Sequence, residues 1–356
     1  MTLKTNGTIE TSPNGTATVA PVVSRPGSPA GQPAGGTGLR LGVLVSYLRP
    51  EEKLILAAAR ARGLVVTPLF DRDLVLDFAA PDAAASGLAV DVVLDRNVAH
   101  GRALYTLRTL ERWGIPTLND SATVALCDDK VQTSLALVAA GIPTPRTMLA
   151  YSVEAALKAC EALGYPAVVK PVTGSWGRLL AKVNGPEQAR AILGEKLGHG
   201  SFHHEIIYVQ EFVEKPGRDI RAFVVGDRVL AASYRSSEHW VTNSARGAVS
   251  LPCPITPEIE DLALRSCATV GARLAGVDLF ETAHGLQVVE VNGGGEFRGL
   301  MTTTDVDIAA EIVEEAIRVA ARGAARVTAM VTTASPVMTG GIHLSTTGAP
   351  GDPAPA

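Results

Sequence analysis

From residue 39 to about 128 the chain alternates buried-type strands with helical stretches, and few folds accept that order. LRLGVLVSY (39–47) is a near-continuous apolar run, and EEKLILAAARARG (51–63) follows with helical spacing and a closing glycine. LVVTPLF (64–70), AVDVVLDR (89–96), HGRALYTLRTLERWG (100–114) and IPTLN (115–119) continue the alternation. Strands joined through helices run parallel, and a parallel sheet is covered on both faces. No G-x-G-x-x-G follows the first strand, which argues against a nicotinamide-dependent dehydrogenase built on this sheet.

After a helix at DKVQTSLALVAAG (129–141) the pattern changes. YPAVVKPVTGSWGRLLAKV (165–183) reads as two strands around a glycine-containing loop, and IIYVQEFV (206–213) as another strand. RAFVVGDRVLAASYR (221–235) is a hairpin turning at Gly226-Asp227. The fold class is therefore α/β followed by α+β: a parallel-sheet domain over 39–128, then antiparallel-sheet subdomains over 129–213 and 214–323. Residues 1–38, rich in Thr, Ser, Gly, Pro and Ala, are expected to form a disordered extension, and 324–356 a disordered tail.

The chain has 356 residues, 46% of them apolar, enough for a large core. A net charge of −4 gives no sign of a nucleic-acid binder. No apolar run is long enough to span a membrane, and no signal peptide opens the chain, so a cytoplasmic protein is expected. Cys127, Cys160, Cys253 and Cys267 form no C-x-x-C pair and read as buried thiols.

VDLFETAHGLQVVEVN (277–292) places acids inside runs that should bury hydrocarbon. With the turn centred on His284, Asp278 and Glu290 lie directly opposite each other and point to one side of the sheet. Asn292, two residues beyond Glu290, shares that side. Like charges opposed in a sheet repel, and a hard cation such as Mg²⁺ or Mn²⁺ suits this all-oxygen set. The other reading is a solvent-facing strand side, and a turn shifted by one residue would separate the pair. The glycine run 293–295 favours the metal, because it lets backbone approach a ligand closely.

Phosphate-binding groups are scattered, and there is no G-x-x-x-x-G-K-[ST]. Lys130 opens a helix, and Lys170 ends the strand AVVK. The loop Thr173 to Arg178 carries two glycines, two hydroxyls and an arginine. GRDIR (217–221) and HWVTNSARG (239–247) add Arg221, Asn243 and Arg246. Each alone reads as surface decoration; together with the acidic pair they suggest an ATP–Mg²⁺ enzyme that is neither P-loop nor Rossmann.

VVKPVTGSWGRLLAKV, YVQEFVEKPGRDIRAFVVGDRVLAASYR, HWVTNSARG and VDLFETAHGLQVVEVN together resemble the ATP-grasp ligases, over roughly residues 40–322. The likeness is to the LysX/RimK-like branch, whose lysine-biosynthesis members join 2-aminoadipate to a small acidic amino-group carrier protein. The resemblance implies an N-terminal pre-ATP-grasp domain, a central and a C-terminal ATP-grasp subdomain, ATP, and Mg²⁺ as two ions. It implies that Lys130 and Lys170 contact ATP, and that Gly174, Ser175, Trp176, Gly177 and Arg178 cover its phosphates. Gln210, Glu211, Phe212 and Val213 would form the adenine hinge, with Asp219 near the ribose and Asn243 near the phosphates.

Asp278, Glu290 and Asn292 would hold the metal, in agreement with the hairpin geometry. Arg221, Arg235 and Arg246 would steady phosphates or substrate carboxylates. The implied chemistry is activation of a carboxylate as an acyl phosphate, which an amine then displaces. A homodimer or homotetramer is also implied.

Arg235 and the segment Glu296-Phe297-Arg298-Gly299-Leu300 would meet the amino-acid substrate. Aminoadipate enzymes resemble EF-K-N-S or EF-K-N-T there, and glutamate-specific ones end the segment in Gly-Phe. This chain matches neither and leans toward the second. A glutamate ligase acting on the carrier or on a protein C-terminus is therefore the alternative, and a nucleotide-binding regulator without catalysis is a more distant one.

Overall fold

In the computed structural model, which describes residues 38–174, 179–198, 206–242 and 247–333, three sheets organise the chain. The segments at 1–37 and 334–356, expected to be an extension and a tail, lie outside the described residues. The first sheet holds β1 (Arg40–Val45), β2 (Val65–Phe70), β3 (Val92–Asp95) and β4 (Thr117–Leu118), all parallel, in the order β2–β1–β3–β4. β3 is buried at every position and β1 at all but its first, as strands covered on both faces are. The connection after β1 goes to one side and β3 lies on the other, so strand order reverses between them. Ligands of open parallel sheets sit beyond the C-terminal strand ends at such a reversal.

The second sheet is antiparallel: β5 (Thr147–Ala150), β6 (Ala167–Lys170), β7 (Ala181–Val183) and β8 (Ile207–Glu211) in the order β5–β8–β6–β7. Val169, Val183, Ile207 and Val209 pack against Ala156, Leu157 and Cys160 of a helix over Val153–Leu163. The Ser152 side chain accepts the Ala155 N–H and starts that helix.

The third sheet is also antiparallel: β9 (Arg218–Val225), β10 (Arg228–Ser236), β11 (Val249–Pro252), β12 (Leu274–Thr282) and β13 (Gly285–Asn292), ordered β11–β10–β9–β12–β13. β9 and β10 turn at Gly226-Asp227, as the sequence suggests. Gly226 sits at φ +67, and a Cβ there would meet Glu315 Oε2 at 2.8 Å, so only glycine fits.

The first and third sheets share a core, because a long helix over Ile308–Thr333 packs between them. Leu41, Val43 and Leu94 lie in one cluster with Phe223, Val225, Leu274, Ile312 and Val313. That helix continues past residue 324, where the sequence suggested a loose tail, because alanine and arginine there favour helix. Among the described residues no helix is long and apolar enough to cross a membrane.

Candidate active site

The β12–β13 register pairs Asp278 with Glu290 and Gly276 with Asn292. The turn itself is a two-residue one at Ala283-His284, half a residue off the expected centre, and alone it would slip the pair apart. A bulge at Val289 restores the alignment, since Leu279 pairs with Val288 while Asp278 pairs with Glu290. Both carboxylates and Asn292 line one cleft of about 390 Å³.

Asp278 lies across from Arg221 on β9. Arg221 Nε donates to Asp278 Oδ1, its Nη2 lies 3.0 Å from Oδ2, and Arg235 Nη2 from β10 also lies 3.0 Å from Oδ2. Burial penalises the Asp278 charge, but Arg221 and Arg235 outweigh it and hold its carboxyl below the usual range. Burial likewise works against the Arg235 charge, while Asp278 and Asp219 raise its pKa above the ordinary arginine value.

Asp219, the residue expected near a ribose, is held by protein partners. It is 4% exposed, accepts Arg235 Nε at 2.6 Å and the Thr242 hydroxyl, and has Lys215 Nζ 3.7 Å away. Its carboxylate fixes Arg235.

Glu290 takes a different cation: Lys130 Nζ lies 3.4 Å from Oε1 and also donates to the Gly174 carbonyl at 2.6 Å. Lys130 begins a helix over Lys130–Ala139, where the Asp129 side chain accepts the Val131 and Gln132 N–H groups and caps it. Asn292 Nδ2 lies 3.3 Å from the Gly276 carbonyl. Lys170, at the end of β6, donates to Gln210 Oε1 at 2.6 Å. Burial pulls its pKa down to about 8, with Lys130 and Lys215 acting the same way against Glu290 and Asp278. Bound phosphates would restore its full charge.

The expected hinge follows on β8. Gln210 is buried and donates from Nε2 to Thr147 Oγ1 and the Tyr208 hydroxyl, and Glu211 accepts the Arg146 N–H. The Lys182 ammonium stands 3.6 Å over the Phe212 ring. Gln210 meets Lys170, while Glu211 pairs with Ala167 at the other end of β6; none of Gln210, Glu211, Phe212 and Lys170 lines the cleft, and Val213 follows Phe212 in the chain. Ser175, Trp176, Gly177, Arg178, Asn243 and Arg246 lie outside the described residues.

The segment after β13 divides. Glu296, Arg298, Gly299 and Leu300 line the cleft. Phe297, expected to meet substrate, is instead 1% exposed in the shared core, edge-on to Phe223 at 5.9 Å. It anchors the segment rather than reading a ligand.

Sequence reasoning missed the wall supplied by the first sheet. Glu52, fully buried, accepts Arg49 Nη2 at 2.8 Å and Arg96 Nε at 3.1 Å. Arg96 Nη1 in turn donates to the Gly294 and Gly295 carbonyls, the latter at 2.7 Å, and Arg49 reaches Glu296. Asn119 bridges the sheets: its Nδ2 donates to the Leu274 and Gly293 carbonyls at 2.7 Å, and its Oδ1 accepts the Arg273 and Leu274 N–H groups. The available signal was charge at the end of AVDVVLDR, since strand ends of a parallel sheet face ligands. Cys127 also lines the cleft, but burial pushes its thiol up to about 12, so it is a neutral wall and no nucleophile.

Residues 127–316 match the family model of the RimK-like ATP-grasp domain, and residues 41–126 that of the LysX preATP-grasp domain. The α-aminoadipate–LysW ligase LysX of Sulfurisphaera tokodaii is 37% identical over 278 residues, covering 77% of this chain and 97% of the relative. The glutamate–LysW ligase ArgX of Sulfolobus acidocaldarius is 33% identical over 278 residues, covering 77% and 97%. A crystal structure of a RimK-domain ATP-grasp protein from Sphaerobacter thermophilus superposes with a TM-score of 0.68 at 28% identity, covering 78% of this chain and 99% of that one. The fold and the relatives are those of an ATP-dependent carboxylate–amine ligase. The chain belongs to the RimK-like ATP-grasp family, in its LysX branch.

Proposed function

We propose that this ligase activates the γ-carboxylate of the C-terminal glutamate of a small acidic amino-group carrier protein and couples it to the α-amino group of 2-aminoadipate. It would do so as a cytoplasmic enzyme of lysine biosynthesis. The observation that carries the reading is 37% identity across nearly the whole length of an aminoadipate–LysW ligase, against 33% for a glutamate–LysW ligase.

A carboxylate is a poor electrophile, so ATP first converts it to an acyl phosphate, and the amine then displaces phosphate. Lys130 and Lys170 are the cations that would bind the nucleotide's phosphates, with Gln210 to Val213 beside its base. Arg221 and Arg235 would hold the transferring phosphoryl or the substrate carboxylates through N–H pairs, kept in place by Asp278 and Asp219.

Asp278, Glu290 and Asn292 fit a hard divalent cation. They offer only oxygen and amide donors from one sheet face, and the carboxylates already draw an ammonium and two guanidiniums. Bound there, Mg²⁺ would withdraw charge from the transferring phosphoryl group.

A second reading, glutamate as the amino acid, is favoured by one observation: Gly299 and the buried Leu300 line the cleft, where a large apolar side chain shortens the space for a diacid. Offering the protein, Mg²⁺ and ATP a carrier ending in glutamate, with each diacid in parallel, separates the two by the carrier's intact mass. The expected result is a gain of one 2-aminoadipate residue. A gain with glutamate alone assigns the second reading, and no gain with either overturns the carrier assignment.

A further inference from the structure

The reversal between β1 and β3 opens onto the cleft, and two carboxylates there have no role in the account above. Asp95, the last residue of β3, is 6% exposed and lines the cleft. Its Oδ1 accepts the Asn97 N–H at 2.9 Å, which fixes the side chain, and its other oxygen takes no hydrogen bond among the described residues. Asn97 is itself held by Asp71, to which its Nδ2 donates at 2.9 Å.

Glu51 lies in the first turn of the helix Pro50–Ala61 that follows β1. It is 2% exposed and lines the same cleft, and its Oε2 is buried without a hydrogen-bond partner. The neighbouring arginines make their ion pairs elsewhere, Arg49 with Glu52 and Glu296 and Arg96 with Glu52, while Arg96 Nη2 is itself buried without a hydrogen-bond partner.

A buried carboxylate oxygen without a donor, as at Glu51, is costly, and a second carboxylate on the same cleft, Asp95, adds like charge. A ligand bringing positive charge and several N–H donors removes both costs, and a primary ammonium is such a group. Burial pushes the Asp95 carboxyl up to about 6, against the Asn97 N–H, Arg96 and His100, which act to lower it. At neutral pH that leaves an ionised group with more proton affinity than an ordinary aspartate, as suits a general base.

We infer that Glu51 and Asp95 receive the ammonium group of the incoming amino acid, and that Asp95 is the base that takes its proton before attack. The inference rests on the acyl-phosphate reading above. Asp95 removes one proton from the ammonium, leaving a neutral amine with a free electron pair. The nitrogen bonds to the acyl carbon as the carbon–oxygen bond to phosphate breaks and the phosphate leaves with that electron pair. The second nitrogen proton passes to the departing phosphate, and Asp95 returns its proton to solvent.

Asp95→Asn keeps the size of the side chain and removes the base. The wild-type enzyme and this variant are compared with two nucleophiles: the diacid the enzyme couples, and hydroxylamine, whose nitrogen is already uncharged at neutral pH. The variant is expected to lose about 10²–10⁴-fold in kcat with the diacid and far less with hydroxylamine, read as hydroxamate. Its diacid rate should also climb steeply with pH, as solution supplies the free amine. Glu51→Gln should raise KM for the diacid more than for hydroxylamine.

Equal losses with both nucleophiles, or no loss with the diacid, would overturn the assignment of Asp95. The ligase reading is judged on wild-type coupling and the base on the ratio of the two losses, so the two fail separately.

Discussion

Replacing Glu290 by Gln should lower ligase turnover by about 10³-fold, because the several kcal/mol of phosphoryl charge stabilisation supplied through the metal would be lost. The fold should survive, since Glu290 is a half-buried residue whose one ion pair among the described residues is with Lys130. Asp278→Asn should stop turnover as well but carries a second cost. It strips the negative partner from Arg221 and Arg235, which are packed around a carboxylate 7% exposed. Breaking a buried ion pair from one side costs about 3–5 kcal/mol, enough for a fall in Tm of about 10 °C in a chain this size. ADP release and a thermal melt on both variants separate the effects. A Glu290→Gln enzyme with near-normal turnover would remove the metal assignment.

Asn119→Ala is expected to be the most damaging single truncation away from the cleft's charges. The side chain accepts two backbone N–H groups and donates to two carbonyls, joining the end of β4 to the start of β12 and to the glycine run after β13. Alanine would leave those groups buried and unpaired at about 1–3 kcal/mol each, so a loss of about 3 kcal/mol or more is expected even after relaxation. The same four bonds set Gly293 beside Asn292, a proposed metal ligand, so turnover should fall in the fraction that remains folded. Urea unfolding and activity on the purified variant check both. A midpoint within error of wild type would show that the bridge is dispensable.

The contrast between these residues explains what could be read from the sequence. Asp278 and Glu290 were legible because a hairpin is local: a turn and period-two alternation place both side chains on one face. Even there the pairing came out for a compensated reason, since the turn is tighter than expected and the Val289 bulge makes up the difference. The parallel sheet was legible from the same kind of local pattern.

Asn119 and Arg96 were not legible, because their partners are 155 and 199 residues away and nothing in the local pattern marks them. The burial of Phe297 and the commitment of Asp219 were hidden for a related reason. A charged or aromatic residue beside a functional stretch can face the ligand or hold up those that do, and only packing decides. Asp219 turns to Arg235, and Phe297 turns to Phe223.

Arg235 thus depends on two carboxylates, one on its own hairpin and one on β12, and its guanidinium is positioned before any substrate arrives. In the proposed role, such preorganisation would let the charge act on a transferring phosphoryl group without reorganisation at the moment of reaction. The first sheet closes the other side through Arg49, Glu52 and Arg96, which grip the segment just past β13. The proposed metal ligands, the arginines beside them and the segment after β13 are in this way tied into one network.

The measurement that tests this account most directly follows oxygen. A carrier whose terminal γ-carboxylate is labelled with ¹⁸O is incubated with the enzyme, ATP, Mg²⁺ and the diacid, and the released phosphate is analysed by mass. Acyl-phosphate chemistry predicts that each coupling delivers one labelled oxygen to inorganic phosphate, with ADP as the nucleotide product. Coupling that leaves the phosphate unlabelled, or that places the label in AMP, would contradict it.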